Sequence, residues 1–108
     1  MDIKSWLEDA TGLKAEENMY ITPPPLPYLI YLVTTNTRGA DDKNNIKEHD
    51  TAVELYDKTV SKKAEEKIEK LLDDSKIQYS KDRTYLHSEK KFMTIYSFKI
   101  IEKGEKIK

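Results

Sequence analysis

Pro23-Pro24-Pro25-Leu26-Pro27 running into Tyr28-Leu29-Ile30-Tyr31-Leu32-Val33 is the stretch whose reading decides the fold. Four prolines in five residues forbid helix and remove backbone donors, so they form a stiff extended connector. The segment after them reads as a strand from Tyr28 to about Thr35, and its apolar run does not alternate with polar residues. A strand with one wet face alternates, so this one is expected to be covered on both faces.

Only two segments supply convincing helices to do the covering. Residues 2–10 place Ile3, Trp6, Leu7 and Ala10 on one side, with Asp2 as N-cap and Gly12 where a left-handed residue ends a helix. Ser61 opens a second helix through about Asp74, with the narrow stripe Ala64, Ile68, Leu71 and Leu72. Its charges oppose the macrodipole, with Lys62 and Lys63 at the start and Asp73 and Asp74 at the end. That helix must be held by docking.

A second strand is expected from about Ile46 to Tyr56, with His49, Thr51, Val53 and Leu55 on one face and Glu48, Asp50, Ala52 and Glu54 on the other. The last third reads as a hairpin of Ile77–Leu86 and Phe92–Ile101 about a turn near Ser88-Glu89-Lys90. The expected fold is α+β, an antiparallel sheet of about four strands with two helices in the order α-β-β-α-β-β. It forms a single domain over residues 1–101, with a frayed tail over 102–108. Either each helix covers one face of the sheet, or both share a face and another subunit covers the rest.

Composition narrows the function classes. At 108 residues the chain fits one domain, and 37% hydrophobic against 36% charged residues leaves a modest core. Its 19 basic and 20 acidic side chains are mixed along the chain, which argues against electrostatic binding to nucleic acid or membrane. Without cysteine there is no disulfide, thiol chemistry or cysteine-based zinc site. The N-terminus lacks the features of a signal peptide and no stretch approaches a membrane span, so a cytoplasmic site of synthesis is expected.

No motif for chemistry survives its own test. Pro24-Pro25-Leu26-Pro27 fits polyproline-binding grooves, but lacks a flanking basic residue and runs straight into a strand. His49 and His87 have no metal-ligand spacing, and no serine-glycine elbow exists for a nucleophile. Asp42 begins a calcium-like run that puts Lys47 and Val53 where an EF-hand needs Gly and Glu. Glu48, Asp50 and Glu54 share a strand face and, with His49, would serve an enzyme only if they converged in a cleft. Catalytic, cofactor-binding and metal residues are accordingly expected to be none. The ten residues after Thr35 are long for a hairpin loop, and long loops often carry function. Arg38, Gly39, Ala40, Asp41, Asp42, Lys43, Asn44 and Asn45 are therefore the candidate protein-interface loop.

Three clusters together resemble a family of small tail-completion proteins of tailed phages and prophages of Gram-positive bacteria. They are Pro25-Leu26-Pro27-Tyr28-Leu29-Ile30-Tyr31-Leu32, then Gly39-Ala40-Asp41-Asp42 with Val53-Glu54-Leu55-Tyr56, and Ser88-Glu89-Lys90-Lys91-Phe92 with Ile95-Tyr96. The resemblance implies a tail terminator or head–tail joining protein, a non-enzymatic structural subunit without cofactor. It implies a homo-oligomeric ring, often hexameric in such proteins, between tail-tube and head-connector proteins. Such a subunit would reside in the host bacterial cytoplasm during assembly and then in the virion neck. The alternative is a monomeric adaptor or regulatory module that binds a protein through the same loop.

Overall fold

The computed structural model describes residues 2–39 and 46–103 of the chain. Helix α1 is Ile3–Thr11 and helix α2 is Lys62–Asp74. The strands are β1 (Ala15–Glu17), β2 (Tyr28–Arg38), β3 (Ile46–Asp57), β4 (Tyr79–Leu86) and β5 (Lys91–Lys103). They form one sheet in the order β1-β2-β3-β5-β4. The α+β class and the two helices agree with expectation; the strand count and the purely antiparallel pairing do not. The sheet has five strands and is mixed, because β1 pairs with β2 in parallel.

The extra strand lies in the run Lys14-Ala15-Glu16-Glu17-Asn18, whose polarity hides it. Ala15 is nonetheless buried, and the backbone of Leu29 donates to Lys14 O at 2.8 Å while that of Asn18 donates to Tyr31 O at 2.9 Å. β2 also runs on to Arg38, so Asn36 and Thr37 are strand and not loop. Likewise β5 continues to Lys103, through the first two residues assigned to the tail; 104–108 lie outside the described residues.

Local chemistry explains the helix ends. The Asp2 carboxylate accepts from Ser5 N at 3.2 Å, and Gly12 takes the left-handed conformation at φ 73°, its N–H bonding to Glu8 O at 2.8 Å. A β-carbon would meet nothing there, so backbone strain alone makes glycine the residue of choice. Leu13 then packs against the core, as its position after the cap allows.

Both helices lie on the same face and pack against each other. Their Leu7, Ala64, Ile68 and Leu72 close over Leu29 and Tyr31 of β2, Val53 and Leu55 of β3, and Tyr96, Phe98 and Ile100 of β5. Two narrow stripes side by side thus make one adequate cover.

Ion pairs and hydrogen bonds add to this apolar contact in docking α2. Glu65, only 1% exposed, accepts Arg83 Nε at 2.9 Å, Arg83 Nη2 at 2.5 Å and Thr94 Oγ1 at 2.9 Å, with Lys81 Nζ at 3.0 Å. Glu69 joins in, 2.7 Å from Lys81 and 2.8 Å from the Tyr96 hydroxyl. Burial pushes the Glu65 carboxyl up, but the hydrogen bonds from Arg83, Lys81 and Thr94 outweigh it and hold its pKa at about 2.

Candidate functional site

On the opposite face of the sheet the strands carry Tyr28, Ile30, Leu32, Thr34, Asn36 and Arg38 from β2, beside Tyr56, Glu54, Ala52, Asp50, Glu48 and Ile46 from β3. Next come Met93, Ile95, Ser97, Lys99 and Ile101 of β5. Among the described residues no helix lies over them. Leu32 is 38% exposed and Ile101 52%, while Ile30, Ala52, Met93 and Ile95 are half-buried.

The face is graded from one end to the other. At the apolar end Tyr28 and Tyr56 stack at 5.4 Å between ring centroids, and Tyr20, ahead of the proline connector, meets the Tyr28 ring edge-on at 5.1 Å. Lys91 Nζ donates to the Tyr28 hydroxyl at 2.9 Å and sits 5.4 and 5.1 Å from the Tyr28 and Tyr56 centroids, a cation held against two π faces. Its bond to Tyr28 raises the ammonium pKa, against the opposing effect of burial. The Tyr56 hydroxyl donates to Glu54 at 2.9 Å; burial first, and that bond second, push its pKa well up. Tyr28, Glu54, Tyr56 and Lys91, far apart in the chain, therefore meet here.

Towards the other end the face becomes ionic. Arg38 pairs with Glu48 at 2.7 Å, and Lys99 lies 3.5 Å from Glu48 and 3.8 Å from Asp50. Between the two zones Leu32, Thr34, Asp50, Ala52, Ser97 and Lys99 line a shallow, open hollow of about 500 Å³.

Of the candidate loop, Arg38 is the last residue of β2 and Gly39 is exposed beyond it. Ala40, Asp41, Asp42, Lys43, Asn44 and Asn45 lie outside the described residues. The residues considered for catalysis do not converge. Glu48 and Asp50 lie on the bare face, whereas His49 faces the helix side, its Nδ1 2.8 Å from Thr35 Oγ1 and its Nε2 3.5 Å from Glu102. His87 packs edge-on against Tyr85 at 5.0 Å. Among the described residues no three His, Asp or Glu side chains are grouped to hold a metal, and no helix is long and apolar enough to cross a membrane.

Sequence reasoning missed the Lys91–Tyr28–Tyr56 cluster because nothing in one sequence pairs side chains 63 residues apart. A usable hint was Lys91 at the start of an apolar strand, just after the hairpin turn. No family model matches the chain, and no curated protein matches it.

Proposed function

We propose that this chain is a non-enzymatic structural subunit of a phage or prophage tail, of the tail-terminator or head–tail joining kind, that assembles as a homo-oligomeric ring. The observation that carries the reading is the bare sheet face, where Leu32 and Ile101 are exposed and Ile30, Ala52, Met93 and Ile95 stay only half-buried because both helices share the other side. A monomeric adaptor would be expected to seal such a face with its own helices. Uncovered apolar surface beside charged residues marks a protein interaction surface. The sequence resemblance supplies the biological setting, and tail-tube and head-connector proteins are the neighbours it implies.

Two measurements test the reading. Light scattering over a wide concentration range should show self-association that Leu32→Asp weakens while leaving thermal stability within about 0.5 kcal/mol, as exposed substitutions usually do. Electron microscopy of assembled tails should locate the protein at the neck. A chain that stays monomeric at every concentration and is absent from particles would sink the proposal.

A further inference from the structure

A ring of identical copies joins unlike surfaces head to tail, so each copy needs a second contact patch besides the bare face. Among the described residues the large apolar side chains left exposed are Leu32, Ile101, Tyr85, Met19 and Ile21. The first two lie on the bare face, and Tyr85 rests against Phe92 and His87 at 4.9 and 5.0 Å between ring centroids. Met19 and Ile21, 64% and 96% exposed, stand apart on the segment leading into the prolines.

Their display is fixed on both sides. Asn18 takes the left-handed conformation at φ 66°, its N–H bonded to Tyr31 O at 2.9 Å, and Met19 N–H donates to Glu17 O at 2.7 Å. Tyr20, between the two, turns inward, its ring against Tyr28 and its hydroxyl buried. Pro23, Pro24 and Pro25 stiffen the chain beyond Ile21. A segment held in this way loses little freedom when it docks. From Asn18 to Thr37 no side chain is charged, although 36% of the chain is.

The hollow on the bare face has the matching chemistry. Leu32 and Ala52 supply apolar surface, and its charged residues, Asp50 and Lys99, lie 3.8 Å apart and answer each other. A neutral visitor therefore leaves no charge stranded there. Prolines offer carbonyls and no N–H, and the hydroxyls of Thr34 and Ser97 line the hollow as donors. An extended run of five residues spans about 15 Å, enough to cross β2, β3 and β5 at about 4.8 Å per strand. The chain's own segment does not fill its own hollow, since Ile21 and Leu32 are both exposed.

We infer that Met19 and Ile21 of one copy seat in the hollow beside Leu32 and Ala52 of a second copy, with the prolines laid across its bare face. The contact uses a different patch on each copy, so copies add head to tail and the ring closes when the rotation does. Apolar side chains exposed on a charge-free segment and an uncovered apolar face then account for each other. This deepens the ring reading above and rests on it.

Two variants separate the patches. Ile21→Asp charges the inserting segment and Leu32→Asp the hollow; both positions are exposed, and circular dichroism checks that both variants fold. In sedimentation velocity each variant alone should associate at least about tenfold more weakly than the parent, the loss expected when a carboxylate replaces an apolar side chain buried in a contact. Met19→Ser should weaken association in the same direction. An equimolar mixture of Ile21→Asp and Leu32→Asp should form a dimer and nothing larger, since each retains the patch the other lacks. Association weakened by Leu32→Asp but untouched by Ile21→Asp and Met19→Ser, or a mixture that stays monomeric, overturns the seating while leaving self-association through the bare face standing. A parent that never associates overturns both.

Discussion

On the helix side of the sheet Val53, Leu55 and Tyr96 are at most 2% exposed, whereas across the same strands Leu32 keeps 38% and Ile101 52% of their surface. Both faces carry apolar residues in β2 and β5, so strand composition does not separate them. What separates them is where α1 and α2 settle. Each has too narrow a stripe to close a face alone, and packing them together makes one finished core at the expense of the other side. The sequence posed the question of cover correctly; the answer depended on helix–helix contact, which no strand pattern encodes.

The sharpest way to break the contrast is inside the finished face. Ile68→Ala empties a site with no exposed surface and should cost about 2–5 kcal/mol in chemical denaturation. The Leu32→Asp substitution on the bare face should hardly register in the same assay. Equal losses from both would mean that the second face is not bare.

Glu65→Gln is next, at about 2–4 kcal/mol, since it leaves Arg83 and Lys81 facing a neutral partner at the edge of the core. Its pH signature gives the sign. A folded pKa near 2 below an unfolded value of 4.5 contributes stability that is complete above about pH 5 and lost as pH falls from there towards 2. The melting temperature of the parent should therefore drop more steeply between pH 5 and 2 than that of Glu65→Gln. Parallel curves would show that Glu65 is not ionised against Arg83.

The smallest effect is expected where the bare face is ionic. Arg38→Ala removes an ion pair whose arginine is 62% exposed, and thermal stability should move by no more than about 0.5 kcal/mol. A larger loss would mark Arg38 as structural and weaken its place in a contact surface.

Legibility in the sequence followed the range of the interaction. The alternation of His49, Thr51, Val53 and Leu55, the Asp2 cap and the Gly12 stop are local, and the structure has them as read. β1 was invisible because three residues carry no period, and its partners lie fourteen residues away. Glu65 was hidden by its charge, because a stripe of apolar residues gives no reason to bury a carboxylate until β4 brings Arg83 and Lys81 alongside. For the bare face, reading both faces of β5 as largely apolar pointed to one of its strands, while the cluster around Lys91 had no local signature.

The clamp on α2 also bears on the order in which the molecule is made. Every group that holds Glu65 comes later in the chain: Lys81 and Arg83 on β4, and Thr94 on β5. With its terminal charges set against its own dipole, α2 has little stability alone. During synthesis α2 leaves the ribosome before these anchors exist, so the clamp on Glu65 can form only once β4 and β5 have followed.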